Sequence, residues 1–313
     1  MATRKKAGAE PLVLVADIGG TFARFGLARG TVLIGEPVRM PRADYPDLES
    51  ACSGFLALHG AGARPDGASI AAAGQVRGDH IEMTNADWLI HEGRLAAALG
   101  VERVVLLNDF AALAWVLPLL ADADVVRIAA ARAPVVDPLG LRLVVGPGTG
   151  LGVAALAHAA ERGWMTIASE GGHASFAPEN AFEDALLDFA RQRYRRVSWE
   201  RLVSGRGLEL IHEFLLAQRA PGSARLAAPE IVAAAHAGEP TAARAVAAFV
   251  ELLAAYAGDL ALVFNAAADR HAAGGIEHQR QIAGVCGQQL DERCDRAGRG
   301  RLAGVRGRND LGR

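Results

Sequence analysis

The sequence predicts an α/β protein of two domains, and three observations carry that expectation. The chain has 313 residues, about two domains at roughly 150 residues each. β-rich runs alternate with helix-like segments through its N-terminal part. A unit of strand, glycine-threonine turn and strand occurs twice, at residues 12–28 and again at 142–156, as expected of a duplicated plan whose halves face one ligand in a cleft.

Taken in order, residues 12–16 form a short aliphatic run ending in Asp17, followed by Gly19-Gly20 and a β-like run over 22–28. This reads as strand, tight turn, strand. Strands are expected at 70–73 and 104–107, and helices at 48–58 and 93–98. Residues 110–119 read as a buried helix halted at Pro118, and 131–138 as a loop. The domain boundary is expected near 120, giving a tail over 1–11, a small α/β domain over 12–119 and a larger, partly helical α/β domain over 120–276. The second domain opens with a repeat of the hairpin plan, with Gly146-Pro147-Gly148-Thr149-Gly150 between β-rich runs. Helices follow at 181–194, 208–217, 229–235 and 241–264; in the last, Val246, Phe249, Val250, Leu253 and Tyr256 recur at spacings of three and four, a core-facing stripe. The last 37 residues, 277–313, hold eight arginines and seven glycines against six of Ile, Leu and Val, without a sustained period. They do not read as a packed element.

Composition excludes several functions. The longest apolar run, 110–121, is 12 residues, short of the roughly 20 that cross a bilayer, and the apolar stretch near the N-terminus is too short for a signal peptide. The expectation is a cytoplasmic protein without a membrane partner. Three cysteines, without a CxxC pair, supply neither a disulfide framework nor a structural zinc site. A net charge of −2 with both signs scattered argues against a nucleic-acid partner. The only lysines are Lys5 and Lys6, so the Walker P-loop, the protein-kinase lysine and Schiff-base chemistry are excluded. Phosphate chemistry here must use backbone amides, arginine, metal and carboxylate.

In Asp17-Ile18-Gly19-Gly20-Thr21, glycines permit a positive-φ turn and bring N–H groups close to an anion. Thr21 can donate to a phosphate, and Asp17 can hold Mg²⁺ through water; a plain polar hairpin is the alternative. Gly148, Thr149 and Gly150 echo the pattern. Asn108 and Asp109 follow a strand and precede a helix, which suits either an N-cap or a carboxylate projecting from a strand end, where open α/β sheets bind ligands. Glu170-Gly171-Gly172-His173 places a carboxylate and an imidazole around flexible backbone, suited to adjacent hydroxyls of a polyol or to an ordinary polar loop. Glu200 alone reads as a surface glutamate. The remaining histidines considered, His59, His80, His91, His158, His212 and His236, read as scattered groups without partners, and Arg191, Arg193, Arg195 and Arg196 as a solvated helix end.

Together these motifs resemble the bacterial glucokinase family, ATP-dependent hexose kinases of the two-domain actin-like/hexokinase (ribonuclease H-like) fold. Asp17 to Thr21 resembles the first phosphate motif, Leu107-Asn-Asp-Phe110 the catalytic segment, and Gly146-Pro-Gly-Thr-Gly-Leu-Gly152 the second phosphate motif. Glu170 to His173 resembles the sugar loop and Glu200-Arg-Leu-Val-Ser-Gly205 the segment after it, and Gly78-Asp79, Met83-Thr-Asn85 and Trp88 also fit. The resemblance implies ATP and Mg²⁺ as cofactors and Asp109 as the general base that deprotonates the 6-hydroxyl of glucose. It implies that Asn108, Asp109, Glu170, His173 and Glu200 bind the sugar and that both turns bind phosphates. A homodimer is the candidate assembly.

Two departures stand out. Phe22 replaces the family's usual asparagine, with an expected disturbance of phosphate contacts. Ala273-Gly274-Gly275-Ile276 echoes only the end of the adenosine motif, and the resemblance is expected to stop there, as if the tail were an altered or out-of-frame reading. The alternative function is therefore a catalytically impaired sugar-binding protein with an incomplete nucleotide site.

Overall fold

The computed structural model describes residues 10–83, 88–121, 124–127, 137–219, 224–266 and 271–273. The expectations for Thr84 and Asn85, for 1–9 and for everything after Ala273 lie outside the described residues. Backbone contacts divide the chain between Ala112 and Leu113, within a helix.

The first unit is built on a five-stranded sheet in the order β3-β2-β1-β4-β8, from β1 (Leu12–Ile18), β2 (Phe22–Arg29), β3 (Val32–Pro41), β4 (Gly67–Ala72) and β8 (Arg103–Asn108). The first three strands are antiparallel, and β1, β4 and β8 run parallel. The sequence of β1 explains its placement: Leu12, Leu14, Ala16 and Ile18 alternate onto a buried face, while Asp17 is turned to the other. Helices α1 (Leu48–His59) and α2 (Glu92–Leu99) contribute Leu48, Cys52, Phe55 and Leu95 to the same core. α1 starts where the Asp47 carboxylate accepts the Ser50 N–H at 2.8 Å. α2 stops at Gly100, whose φ of 65° is the left-handed conformation of a helix end. A small sheet of β5 (Gly74–Arg77), β6 (His80–Met83) and β7 (Leu89–His91) completes the unit.

Helix α3 (Asp109–Val116) continues into a 3₁₀ turn, Leu117–Leu119, that contains Pro118. The expectation of a buried helix is corrected: Ala111 and Ala114 are buried, but Leu113, Trp115, Val116 and Leu119 are exposed.

The second unit carries an antiparallel sheet, β10 (Arg142–Pro147), β11 (Leu151–Ala159) and β12 (Gly163–Ser169), and a short pair of β9 (Val125–Arg127) with β13 (His271–Ala273). Its core is helical: α4 (Ala181–Arg191), α5 (Trp199–Leu202), α6 (Gly205–Arg219), α7 (Ala228–His236) and α8 (Pro240–Val263). Leu186, Leu202, Ile211, Ile231 and Val250 are fully buried there, joined by Leu151 and Val153 of β11. In α8 the buried stripe is Val246, Phe249, Val250 and Tyr256 as expected, but Leu252 rather than Leu253 completes it. By length and composition alone, the 24-residue α8 is apolar enough to cross a bilayer, a test that a buried core helix also meets. Arg244, Glu251 and Asp259 interrupt it, so it contains no long unbroken apolar run. Its apolar residues are used in the core.

Candidate active site

The first turn is a three-residue loop between β1 and β2, closed by a hydrogen bond from Gly19 N–H to Phe22 O at 3.0 Å. Neither glycine adopts a positive φ, which corrects the expected reason for them. A Cβ on Gly19 would sit tightly, 3.3 Å from Phe22 O, whereas one on Gly20 would face open space. The turn is held from behind by Arg42, a residue only 9% exposed. Its Nη1 donates to Gly20 O at 2.6 Å, its backbone N–H donates to Thr21 O at 3.0 Å, and its guanidinium lies 4.4 Å over the Trp88 ring. Asp17, at the strand end, pairs with Arg24 at 2.9 Å, and both are more than half exposed.

Asn108 is the cap of α3: its Oδ1 accepts the N–H groups of Phe110 and Ala111 at 3.0 and 3.2 Å, and its Nδ2 donates to Gly74 O at 3.1 Å. One N–H of that amide remains for another acceptor. Asp109 Oδ1 accepts the Phe110 N–H at 2.9 Å. Burial of the Asp109 carboxyl pushes its pKa above the ordinary aspartate value, and the negative charge of Asp17 adds to the rise, outweighing the Phe110 hydrogen bond. The cap and projecting-carboxylate readings thus separate: Asn108 caps, and Asp109 is the half-buried acid.

In the second unit, Gly148 N–H donates to Gly150 O at 2.8 Å, and Gly148 O accepts the Gly205 N–H at 2.8 Å, which ties the turn to the start of α6. Gly148 and Thr149 are exposed. Glu200, expected at the surface when read alone, is drawn in: its Oε2 accepts the Leu151 N–H at 3.1 Å. A Cβ on Gly150 would lie 2.5 Å from that same oxygen, so this glycine makes room for a carboxylate.

His173 stands between two carboxylates, with Nε2 at 3.6 Å from Glu170 and Nδ1 at 3.8 Å from Glu200. The glycines between Glu170 and His173 are not flexible spacers, which corrects that expectation. A Cβ on Gly172 would fall 2.1 Å from Leu151 O, and one on Gly171 would fall 2.8 Å from the Tyr256 hydroxyl. Of the five side chains named for the sugar, Glu170, His173 and Glu200 are therefore brought together in the second unit, with Glu200 linking them to the second turn, while Asn108 and Asp109 belong to the first unit.

Sequence reasoning missed three supports. Arg196 lies beyond the end of α4, not on a solvated helix end; its Nη2 donates to His173 O at 2.9 Å and its Nε to Ser175 Oγ at 3.1 Å. Tyr256, read as core, has a buried hydroxyl without a hydrogen-bond partner among the described residues, and burial pushes its pKa up to about 12. Arg42 lacked any signal beyond being a charged residue before an aromatic turn. The histidines are also less solitary than expected: His80 and His91 both reach Asp79, at 3.3 and 3.1 Å, His59 stacks on Phe55 and His158 edges onto Trp164. No group of three or more metal-ligating side chains occurs among the described residues.

Comparison with known proteins bears on the family and the fold. The glucokinase family model matches residues 14–299, running past Ile276 and so overturning the expectation that the likeness ends there. The chain is 40% identical over 264 residues to the bifunctional protein glk of Burkholderia thailandensis, covering 84% of this chain and 40% of that protein. It is likewise 40% identical to a glucokinase of Chromobacterium violaceum, covering 84% of this chain and 74% of that one. The chain thus spans less than half the length of its bifunctional relatives. Among solved structures, a glucokinase from an Antarctic psychrotroph superposes with a TM-score of 0.76 at 30% identity, covering 91% of this chain and 88% of that chain. A glucokinase from Balamuthia mandrillaris shares the fold, with a TM-score of 0.67 at 22% identity. The fold is thus the expected α/β hexokinase-like one, and the chain belongs to the glucokinase family.

Proposed function

We propose that the chain transfers the terminal phosphoryl group of ATP to the 6-hydroxyl of glucose, giving glucose 6-phosphate and ADP, with Asp109 as general base. The observation that carries this reading is the half-buried Asp109 carboxyl, its pKa raised by burial and by Asp17, at the start of α3. A carboxylate of raised basicity is better matched to taking a hydroxyl proton near neutral pH. In the step, the sugar O6–phosphorus bond forms, the bond between phosphorus and the ADP oxygen breaks, and the O6 proton moves to the Asp109 carboxylate.

Glu170, His173 and Glu200 would hold the sugar hydroxyls, and the free Asn108 N–H would hold another. The backbone at Gly19, Gly20, Thr21 and at Gly148, Thr149, Gly150 would meet the phosphates, with Gly20, Thr21, Gly148 and Thr149 exposed. This family's chemistry implies Mg²⁺, and the donor set fits an ion carried mainly by its nucleotide: Asp17 is the one carboxylate at the first turn and would hold it through water. The ion's contribution would be to neutralise charge on the transferring group. Asp17 must then share its charge between Arg24 and the metal. The cytoplasm, where ATP is abundant, remains the expected place of action, with a homodimer as candidate assembly.

The test is a coupled assay of glucose-dependent ADP release by the purified chain with MgATP, with identification of the sugar product. Glucose 6-phosphate formed in equal amount to ADP is the expected result. Glucose binding without ADP release contradicts the proposal.

A further inference from the structure

The asparagine-to-phenylalanine departure at residue 22 has a structural counterpart. The Phe22 ring carries the Arg39 guanidinium, whose Cζ lies 3.5 Å from the ring centroid. Phe22 directly follows Thr21 and closes the first turn through its carbonyl, so the stack stands at the turn's edge. Strand register adds a second observation. Asp17 pairs with Arg24 across β1 and β2, and Arg24 pairs with Arg39 across β2 and β3. Directly paired residues point to the same face of a sheet, and all three side chains are exposed.

One carboxylate therefore serves two guanidinium groups. Arg24 takes it, at 2.9 Å, and among the described residues Arg39 lies on the Phe22 ring. Like charges directly opposite on neighbouring strands are unfavourable, and an anion laid against them relieves that cost. An arginine on an aromatic face is also ordered before a ligand arrives, so its planar fork meets phosphate oxygens with less loss of freedom. In a chain whose only lysines are Lys5 and Lys6, such a cation fills the role that lysine takes elsewhere.

We propose that Arg39, held flat on Phe22, binds the terminal phosphate of the nucleoside triphosphate donor. This rests on the kinase reading above. The reacting end of the donor belongs at this edge, because Asp17, whose charge reaches the Asp109 carboxyl, is the same residue that Arg24 pairs. Phe22 is then a platform that replaces the polar contact of asparagine with a cationic one.

Equilibrium binding to the full chain tests this without turnover. The probes are the magnesium complex of the β,γ-imido analogue of ATP, AMP as the ligand without a terminal phosphate, and glucose. Arg39→Ala is expected to weaken the triphosphate analogue on the order of tenfold, the scale of one charge-assisted hydrogen bond, and to leave AMP and glucose affinities unchanged. Phe22→Leu, which keeps an apolar side chain but removes the ring face, is expected to weaken the analogue by less, and Phe22→Tyr to leave it unchanged. Equal losses for AMP and the triphosphate, or no loss for either, overturn the inference while leaving the kinase reading intact. A wild-type chain that binds glucose and no triphosphate overturns both.

Discussion

At residues 19–21 the turn is held from outside by a cation, Arg42, which donates to Gly20 O and, through its backbone, to Thr21 O. At 148–150 the corresponding turn is held by an anion and a helix start, with Glu200 accepting the Leu151 N–H and Gly205 donating to Gly148 O. The two loops have the same length and flanking antiparallel strands. Their supports carry opposite charge. The carbonyls of Gly20 and Thr21 are occupied by Arg42 in the first turn, whereas the second turn is coupled through Glu200 to His173. Similar hairpins thus have different supports: a buried arginine at the first, and a glutamate shared with the loop of Glu170 and His173 at the second.

Overpacking against the strand that follows the second turn should have the largest effect on stability. Gly172→Ala drives a methyl group into Leu151 O, a backbone atom that cannot swing aside, at a cost of about 3 kcal/mol, the upper range for overpacking. Thermal unfolding should show it, with loss of glucose affinity. Arg42→Ala removes the first turn's charged donor and should cost about 2 kcal/mol. Its signature is a raised KM for MgATP with the KM for glucose unchanged, which a general loss of folded protein would not produce. A pair of alanine substitutions sharpens the contrast. Gly20→Ala faces open space with an ordinary φ and should be near neutral, while Gly150→Ala displaces the Glu200 carboxylate and should cost about 1 kcal/mol, read as a difference in melting temperature.

The smallest effect concerns pH. Asp109 must be ionised to accept a proton, so kcat/KM should fall as pH drops through its pKa. That pKa lies above the ordinary aspartate value, partly because Asp17 is negative. Asp17→Asn removes that charge, so the acid limb of the profile should move to lower pH. A shift to higher pH, or none, would show that Asp17 does not act on the base.

Much of this was legible in the residues. The aliphatic run over 12–16 marks β1, and the repeated Gly-Thr turns mark both hairpins, because these are local patterns. Asp109 and the set Glu170, His173 and Glu200 were legible by resemblance alone. What escaped was long range. Arg42 lies 22 residues from the carbonyl it holds, Glu200 lies 49 from the N–H it accepts, and Arg196 lies 23 from His173; such separations leave no periodic trace. The glycines misled for a related reason. At 150, 171 and 172 they answer to neighbours brought close by folding rather than to local φ. The exposed apolar side of α3 likewise shows that an unbroken apolar run records composition without saying which face is covered.

The central claim is that the Asp109 carboxylate removes the sugar proton. The most direct measurement is the turnover number of Asp109→Asn against wild type in glucose-dependent ADP release, with glucose binding measured in parallel. The account predicts a fall of roughly 10²- to 10⁴-fold in a protein that still binds glucose. Turnover at the wild-type rate would contradict it.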